Sequence, residues 1–287
     1  MAASQAGKWL ATWVLCVAPA LGATSHQYTW SLLIFIAPIC FAGSSLHQRG
    51  LLRPMLAPIG LALALLVPMG AVLTVGLADD FFTYPAASAT LGLTFPAVDL
   101  SGVDHSFQVP VEELAFYVLG FASLLLVYTW ADQVLLPAPR AMQRRARISL
   151  SQCLLALGSG VALAAAGWAL QRVLNPGAVM PGYWMYLMLV PVPVMVAFGP
   201  PMASCINWPA LVLVCLALWG HSVLWEVTLA VPQGWWGYQR QAMVGLEISA
   251  WHRLPIEAVL VWLITPLATI ISFEAIRAHL ATTGRAS

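Results

Sequence analysis

Pro110-Val111-Glu112-Glu113, followed by Phe116 and Tyr117, and Pro255-Ile256-Glu257, followed by Trp262, are the residues whose types and spacing could do chemistry. Proline sets φ near the helical value and loses nothing by lacking an N–H in a first turn, so each run reads as a helix start whose glutamates face unpaired N–H groups. That describes a well-made helix terminus and no more. Two adjacent carboxyls sheltered from water do more, because both cannot ionise cheaply and the pair then supplies a proton donor beside a base. Glu112 and Phe116 stand four residues apart, as do Glu113 and Tyr117, so each acid shares a helix face with a ring. A cation formed there would be held over aromatic faces, worth about 0.5–2 kcal/mol per ring.

The elements that must position these groups follow from composition. The chain is 61% hydrophobic and 8% charged, with a mean hydropathy of +0.84, which marks a multi-spanning membrane protein of all-α class. A net charge of +1 and twelve Lys and Arg give no basic patch, so nucleic acid is excluded as a partner. Apolar runs long enough for a ~30 Å hydrocarbon layer lie at 28–46, 54–78, 109–136, 149–170, 181–199, 206–226 and 254–276. Residues 1–27, with Lys8 ahead of an apolar run, form a signal-like segment or an eighth helix.

Orientation follows from the cations. If the loop carrying Arg140, Arg144, Arg145 and Arg147 is cytoplasmic, alternation also puts Arg49, Arg53, Arg277 and Arg285 inside and only Arg172, Arg240 and Arg253 outside. Six acids, Asp79, Asp80, Glu112, Glu113, Glu226 and Glu257, then share the non-cytoplasmic side. Ionisable groups at membrane depth cost about 2.5–3.5 kcal/mol each, so they face an interior and have a task unless they lie just outside the hydrocarbon in headgroup water. The aromatics Phe81, Phe82, Tyr84, Trp225, Trp235, Trp236, Tyr238 and Trp251 flank them, as an interfacial belt or as a substrate surface. Asp132 and Glu274, at the opposite ends of their spans, read as solvated, and Arg240 as a loop anchor or a partner of Glu226.

The second half repeats the first. Pro255, Glu257, Trp262 and Phe273 each stand 145 positions after Pro110, Glu112, Tyr117 and Tyr128. Residues 28–136 and 181–280 therefore read as two like-oriented three-helix repeats, joined by a basic loop and linking helix at 137–180 and followed by a tail at 281–287. Cys16, Cys40, Cys153, Cys205 and Cys215 are odd in number, form no C-x-x-C pair and read as buried thiols. The six histidines form no H-x-x-x-H box for iron, Asp79-Asp80 has no third carboxylate at i+4 to share a magnesium ion, and no nucleotide-binding glycine motif occurs, so neither metal nor cofactor is expected.

Pro110-Val-Glu-Glu113 with Phe116-Tyr117, Trp236-Gly-Tyr238-Gln239, Gly245-Leu-Glu247 and Leu254-Pro-Ile-Glu257 together resemble the lycopene cyclase domain family, the flavin-independent membrane carotenoid β-cyclases. The resemblance covers about 28–280. It implies an integral, multi-pass enzyme of a bacterial-type cytoplasmic membrane, an isomerase of carotenoid biosynthesis that closes the ends of lycopene or a related terpenoid by acid–base catalysis. Glu112 or Glu113 would be the donor, Glu257 its partner, Asp80 or Glu226 in support, and Phe116, Tyr117, Tyr84, Trp236, Tyr238 and Trp262 the surface for a lipophilic carotenoid or isoprenoid. A homo-oligomer is compatible with this. The second copy departs from the pattern, with Ala258 where another acid belongs and Val261-Trp262 where paired Phe is usual. The same residues also suit a hydratase or other terpenoid cyclase, and parallel repeats suit a carrier or transporter, for which Pro58, Pro68, Pro191 and Pro193 would supply helix breaks.

Overall fold

Runs of about 20 apolar residues leave the backbone no polar partner but itself, and the helix is the solution that satisfies every N–H and C=O. The computed structural model describes residues 25–96, 108–138 and 148–283, with the backbone alone over 71–80 and at 96, 108 and 283. Among the described residues, seven helical segments are long and apolar enough to cross a membrane: Gln27–Gln48, Arg53–Gly70, Val111–Leu135, Leu150–Leu174, Gly182–Met202, Trp208–Ala230 and Ile256–Thr282. They are called the first to seventh segments. This is the make-up of a multi-pass membrane protein, and the short two-stranded pairings between helices do not alter the all-α character. Leu150, Leu154, Leu155, Val161 and Val173 of the fourth segment are each more than half exposed, a face that needs an apolar surround.

The chain divides into two compact units, the first holding residues up to Asp79, Thr83–Leu135 and Gln233–Gly237, the second Asp80–Phe82, Leu136–Pro232 and the chain from Tyr238 on. In the first unit the first segment packs along the third. Phe35 meets Phe116 edge-on at 5.5 Å and Phe41 meets Trp130 at 5.2 Å, while the Trp130 indole N–H donates to the Ser45 hydroxyl at 3.2 Å. In the second unit the fourth segment packs on the fifth, the fifth on the seventh, and the seventh on the sixth. Ser149 and Gln152 form a capping box that starts the fourth segment, and Asn207 caps the sixth while its amide donates to the Leu136 carbonyl at 2.7 Å.

Several of the described helices are locally irregular, the first segment being interrupted at Leu32, between Gln27–Ser31 and Leu33–Gln48. The fifth segment is broken at Val190, between Gly182–Leu189 and Pro191–Met202, because Pro191 has no N–H to continue the ladder. The third and sixth segments each end in a π-turn, Ala131–Leu135 and Glu226–Ala230. Such turns re-aim side chains at a helix end, and here they carry Asp132 and Glu226.

Close approach of the fourth and fifth segments depends on Gly167. A methyl group there would overlap the Trp184 indole, whose N–H donates to the Leu163 carbonyl at 2.9 Å. Gly167→Val is expected to destabilise the protein by about 1–3 kcal/mol, the usual cost of overpacking. Gly158→Ala, on the same helix with nothing within 4 Å, should be neutral or mildly stabilising. Equal denaturation midpoints for the two variants in detergent would rule this contact out as a determinant of stability.

Several side chains lie in surroundings other than those their sequence positions predict. Asp132 is 2% exposed and Glu274 1% exposed, so neither is solvated. Glu274 is instead joined to Arg277 at 2.9 Å within the last helix. Arg240 pairs with Glu247 at 3.4 Å and not with Glu226. Trp235 is fully buried and Trp236 nearly so, which removes both from an interfacial belt. Pro110 is the N-cap of its helix, one residue earlier than a first-turn position. Cys205 and Cys215 are buried as expected, but Cys40 and Cys153 are exposed; Cys16 lies outside the described residues.

Candidate active site

Each unit carries its own buried acid cluster. In the first, Val111–Trp130 begins directly after a short antiparallel ladder in which Thr94 pairs with Pro110 and Phe95 with Val109. The ladder fixes how the helix starts, and Glu112 and Glu113 fall in its first turn at 1% and 8% exposure. That excludes the reading in which they sit in headgroup water.

The first turn of the first segment addresses both acids. Tyr28 donates its hydroxyl to Glu113 Oε1 at 2.6 Å, and Thr29 donates to Glu112 Oε1 at 2.5 Å. Tyr84 lies beside Tyr28 and Glu113. Behind Tyr28 stand Trp235, stacked at 6.3 Å, and Trp236, edge-on at 5.2 Å. Gln27 accepts from the Trp235 indole N–H at 3.2 Å. Gln27, Tyr28 and Thr29 were not among the sequence-derived site residues, because a tyrosine and a threonine at the start of an apolar run look like any membrane-interface pair.

Glu112 has a second, backbone donor. The Leu91 N–H gives a hydrogen bond to Oε1 at 2.7 Å, while Oε2 is buried and has no partner. Thus one oxygen of this carboxyl is doubly held and the other is bare. Phe116 lies one turn on, packed edge-on against Phe35 and against Tyr117 at 5.4 Å, and Tyr117 stacks on Phe121 at 6.3 Å. The two rings are therefore partly buried neighbours of each other, with their shared packing running down the helix.

In the second unit the seventh segment starts the same way. Glu247 pairs with Pro255 and Ile248 with Leu254 just ahead of the helix, and Glu257 in its first turn is fully buried. Its Oε1 accepts the Val244 N–H at 2.6 Å, and its Oε2 is buried without a partner. Glu112 and Glu257 are thus held alike, each by one backbone N–H from a residue that precedes a positive-φ glycine, Gly92 at 72° and Gly245 at 100°.

The next position separates the two helices. Where the third segment has Glu113, the seventh has Ala258, buried with Val223, Leu254 and Val259 and covered by Trp219, Tyr238, Trp251 and Trp262 among others. The second acid of this unit is supplied by Glu226 in the π-turn, 1% exposed, which accepts from the Tyr238 hydroxyl and, at 2.9 Å, from the Trp262 indole N–H. Tyr238 stacks on Tyr183 at 6.4 Å and meets Phe82 at 5.6 Å.

Of the residues singled out from sequence, Glu112, Glu113, Tyr84 and Trp236 gather around Tyr28 and Thr29 in the first unit, and Glu226, Tyr238 and Trp262 join in the second. Glu257 makes its bond to the Val244 loop. Asp80 is on the helix Leu56–Phe81, but its side chain, like those of Asp79, Asp99, Asp104 and His105, lies outside the described residues. No protein-family model, curated protein or solved structure matches the chain.

Proposed function

We propose that the protein is a membrane cyclase of linear isoprenoids, of the lycopene cyclase kind, working by proton transfer from a buried carboxyl and without electron transfer. The observation that carries this reading is the Glu112–Glu113 pair: two adjacent first-turn carboxyls, one with a bare buried oxygen, the other bonded by the Tyr28 hydroxyl. A carboxyl held by Oε1 and open at Oε2 is oriented to hand over a proton from a fixed direction. The tyrosine-bonded neighbour is a base of fixed geometry. Protonation of a terminal C=C gives a tertiary cation, the next C=C attacks it to close a six-membered ring, and loss of a neighbouring proton to a carboxylate restores neutrality. The product is an isomer of the substrate, and the donor is regenerated once the proton returns to it.

The repeat reading belongs to the same proposal. Two like-oriented copies of a three-helix unit account for the matched ladders ahead of Val111 and Ile256 and for the matched bonds to Glu112 and Glu257. With Ala258 in place of a second acid, the later copy would keep only part of the chemistry. The protein would sit in a bacterial-type cytoplasmic membrane with its cation-rich loops inside.

Expression in a lycopene-accumulating host tests the proposal. A new product of the same mass that absorbs at shorter wavelength supports it; a product heavier by one water identifies a hydratase, and unchanged lycopene counts against both. A carrier is the second reading, favoured by the break at Val190–Pro191 deep in the fifth segment. Uptake of a small solute by proteoliposomes, with lycopene untouched, would select it.

A further inference from the structure

We infer that His26 and Gln171 are positioning residues for Glu112 and Glu257, each acting by clamping the loop that carries the donor N–H; the catalytic part of this inference rests on the function proposed above. Each of these carboxyls takes a bond on Oε1 from one loop N–H, so the loop bearing that N–H must be fixed to within a fraction of an ångström for the bond to aim the acid.

In the first unit the loop ends Ser88-Ala89-Thr90-Leu91. The His26 backbone N–H donates to the Ser88 carbonyl at 2.8 Å, and His26 Nδ1 bonds the Thr90 carbonyl at 2.6 Å. Because a carbonyl only accepts, Nδ1 carries the proton. In the second unit the loop ends Gln241-Ala242-Met243-Val244. Gln171 Nε2 donates to the Gln241 carbonyl at 3.2 Å and to the Met243 carbonyl at 3.0 Å. The two clamps take the same two carbonyls, three residues and one residue before the donor N–H.

The clamping groups come from unrelated places. His26 is the left-handed N-cap of the first helix, with φ 55°. Gln171 sits, fully buried, in the last turns of the fourth segment, outside either proposed repeat. Asn175, the C-cap of that helix, adds a third hold by donating to the Arg240 carbonyl at 2.9 Å. Beyond the donor, each loop closes alike, with Val111 N–H on the Leu93 carbonyl and Ile256 N–H on the Leu246 carbonyl, both at 2.9 Å. A histidine from one helix start and a glutamine from another helix end arriving at equivalent carbonyls is what a requirement on the loop produces. It also explains why the fourth segment packs where it does: its end holds the loop that aims Glu257.

His26 is exposed, so its replacement leaves the core intact. The test uses full-length protein in nanodiscs and compares His26→Leu with His26→Gln, which supplies the amide that Gln171 uses. Hydrogen exchange of the Leu91 amide should quicken about tenfold in H26L, the effect of a lost hydrogen bond, and stay within about twofold of wild type in H26Q. Unchanged Leu91 exchange in H26L overturns the inference, as does failure of H26Q to restore protection. Gln171→Leu should do the same to Val244 while leaving Leu91 untouched, and a variant that loosens both is a folding defect and overturns the assignment of Gln171. If wild type cyclises lycopene, H26L should lower kcat about 10- to 100-fold at unchanged KM, the effect of a misplaced acid. Should wild type cyclise nothing while the exchange results hold, the clamp stands and the cyclase reading falls.

Discussion

On the cyclase reading proposed above, the double variant Glu112→Gln/Glu113→Gln is expected to lose cyclisation while keeping its fold. Glutamine preserves what holds each side chain: its carbonyl oxygen can accept from Leu91 N–H and Thr29 at position 112 and from Tyr28 at position 113. What it removes is the proton and the carboxylate on which the proposed cyclisation depends. A positioned acid or base contributes about 10²–10⁴-fold, so turnover of lycopene by membranes containing the double variant should fall by at least about 10³. The single Glu112→Gln should carry most of that loss, since it places an amide where the bare oxygen was. Glu113→Gln should lose less if Glu113 is only the base of the pair. Wild-type turnover by the double variant, at equal protein level, would remove these carboxyls from the mechanism.

The long helices were legible because a run of about 20 apolar residues has few alternatives once water is absent. Each of the seven runs read from the sequence has its counterpart among the seven segments. The break in the fifth was legible only as one of four candidate prolines, and the reason is physical: Pro38, Pro68, Pro200 and Pro266 all lie inside helices that continue through them. Proline alone therefore does not decide; at Pro191 the chain also turns at Val190, with φ −108° and ψ −72°.

The acids were legible as a list of residues, and their surroundings were not. Which side of the hydrocarbon boundary Glu112 occupies turns on a shift of a residue or two at a helix start. The groups that bind it come from Thr29 and Leu91, and nothing local in the sequence links residues so far apart. The matched loop closures were visible only as the shared x-Gly-Leu of Leu91-Gly92-Leu93 and Val244-Gly245-Leu246, whose common positive φ becomes meaningful once the backbone is seen. Asp132 and Glu274 were misread because a helix end says nothing about what packs over it.

Arg277→Met is expected to be the most destabilising single substitution away from the candidate site. Glu274 and Arg277 are 1% and 8% exposed, bonded at 2.9 Å, with the guanidinium 5.6 Å from the Phe273 ring. Removing the arginine leaves a buried carboxylate without its counter-ion, which costs about 3–5 kcal/mol. Removing both charges, as Glu274→Leu/Arg277→Met, should recover most of that, because a pair buried this well gains little over apolar groups of similar size. Denaturation midpoints of the two variants and wild type in mixed detergent micelles measure the difference; a double variant as unstable as the single one would show that the arginine holds the helix by its packing and not by its charge. The comparison bears on function as well. Glu257 and Glu274 lie on one helix, about 26 Å apart at 1.5 Å per residue, both buried. One is neutralised by an arginine three residues away, and the other is given a backbone N–H on one oxygen and nothing on the second. A carboxyl kept for structure can be cancelled in this way, whereas the proton-transfer role proposed for Glu257 requires one left uncancelled.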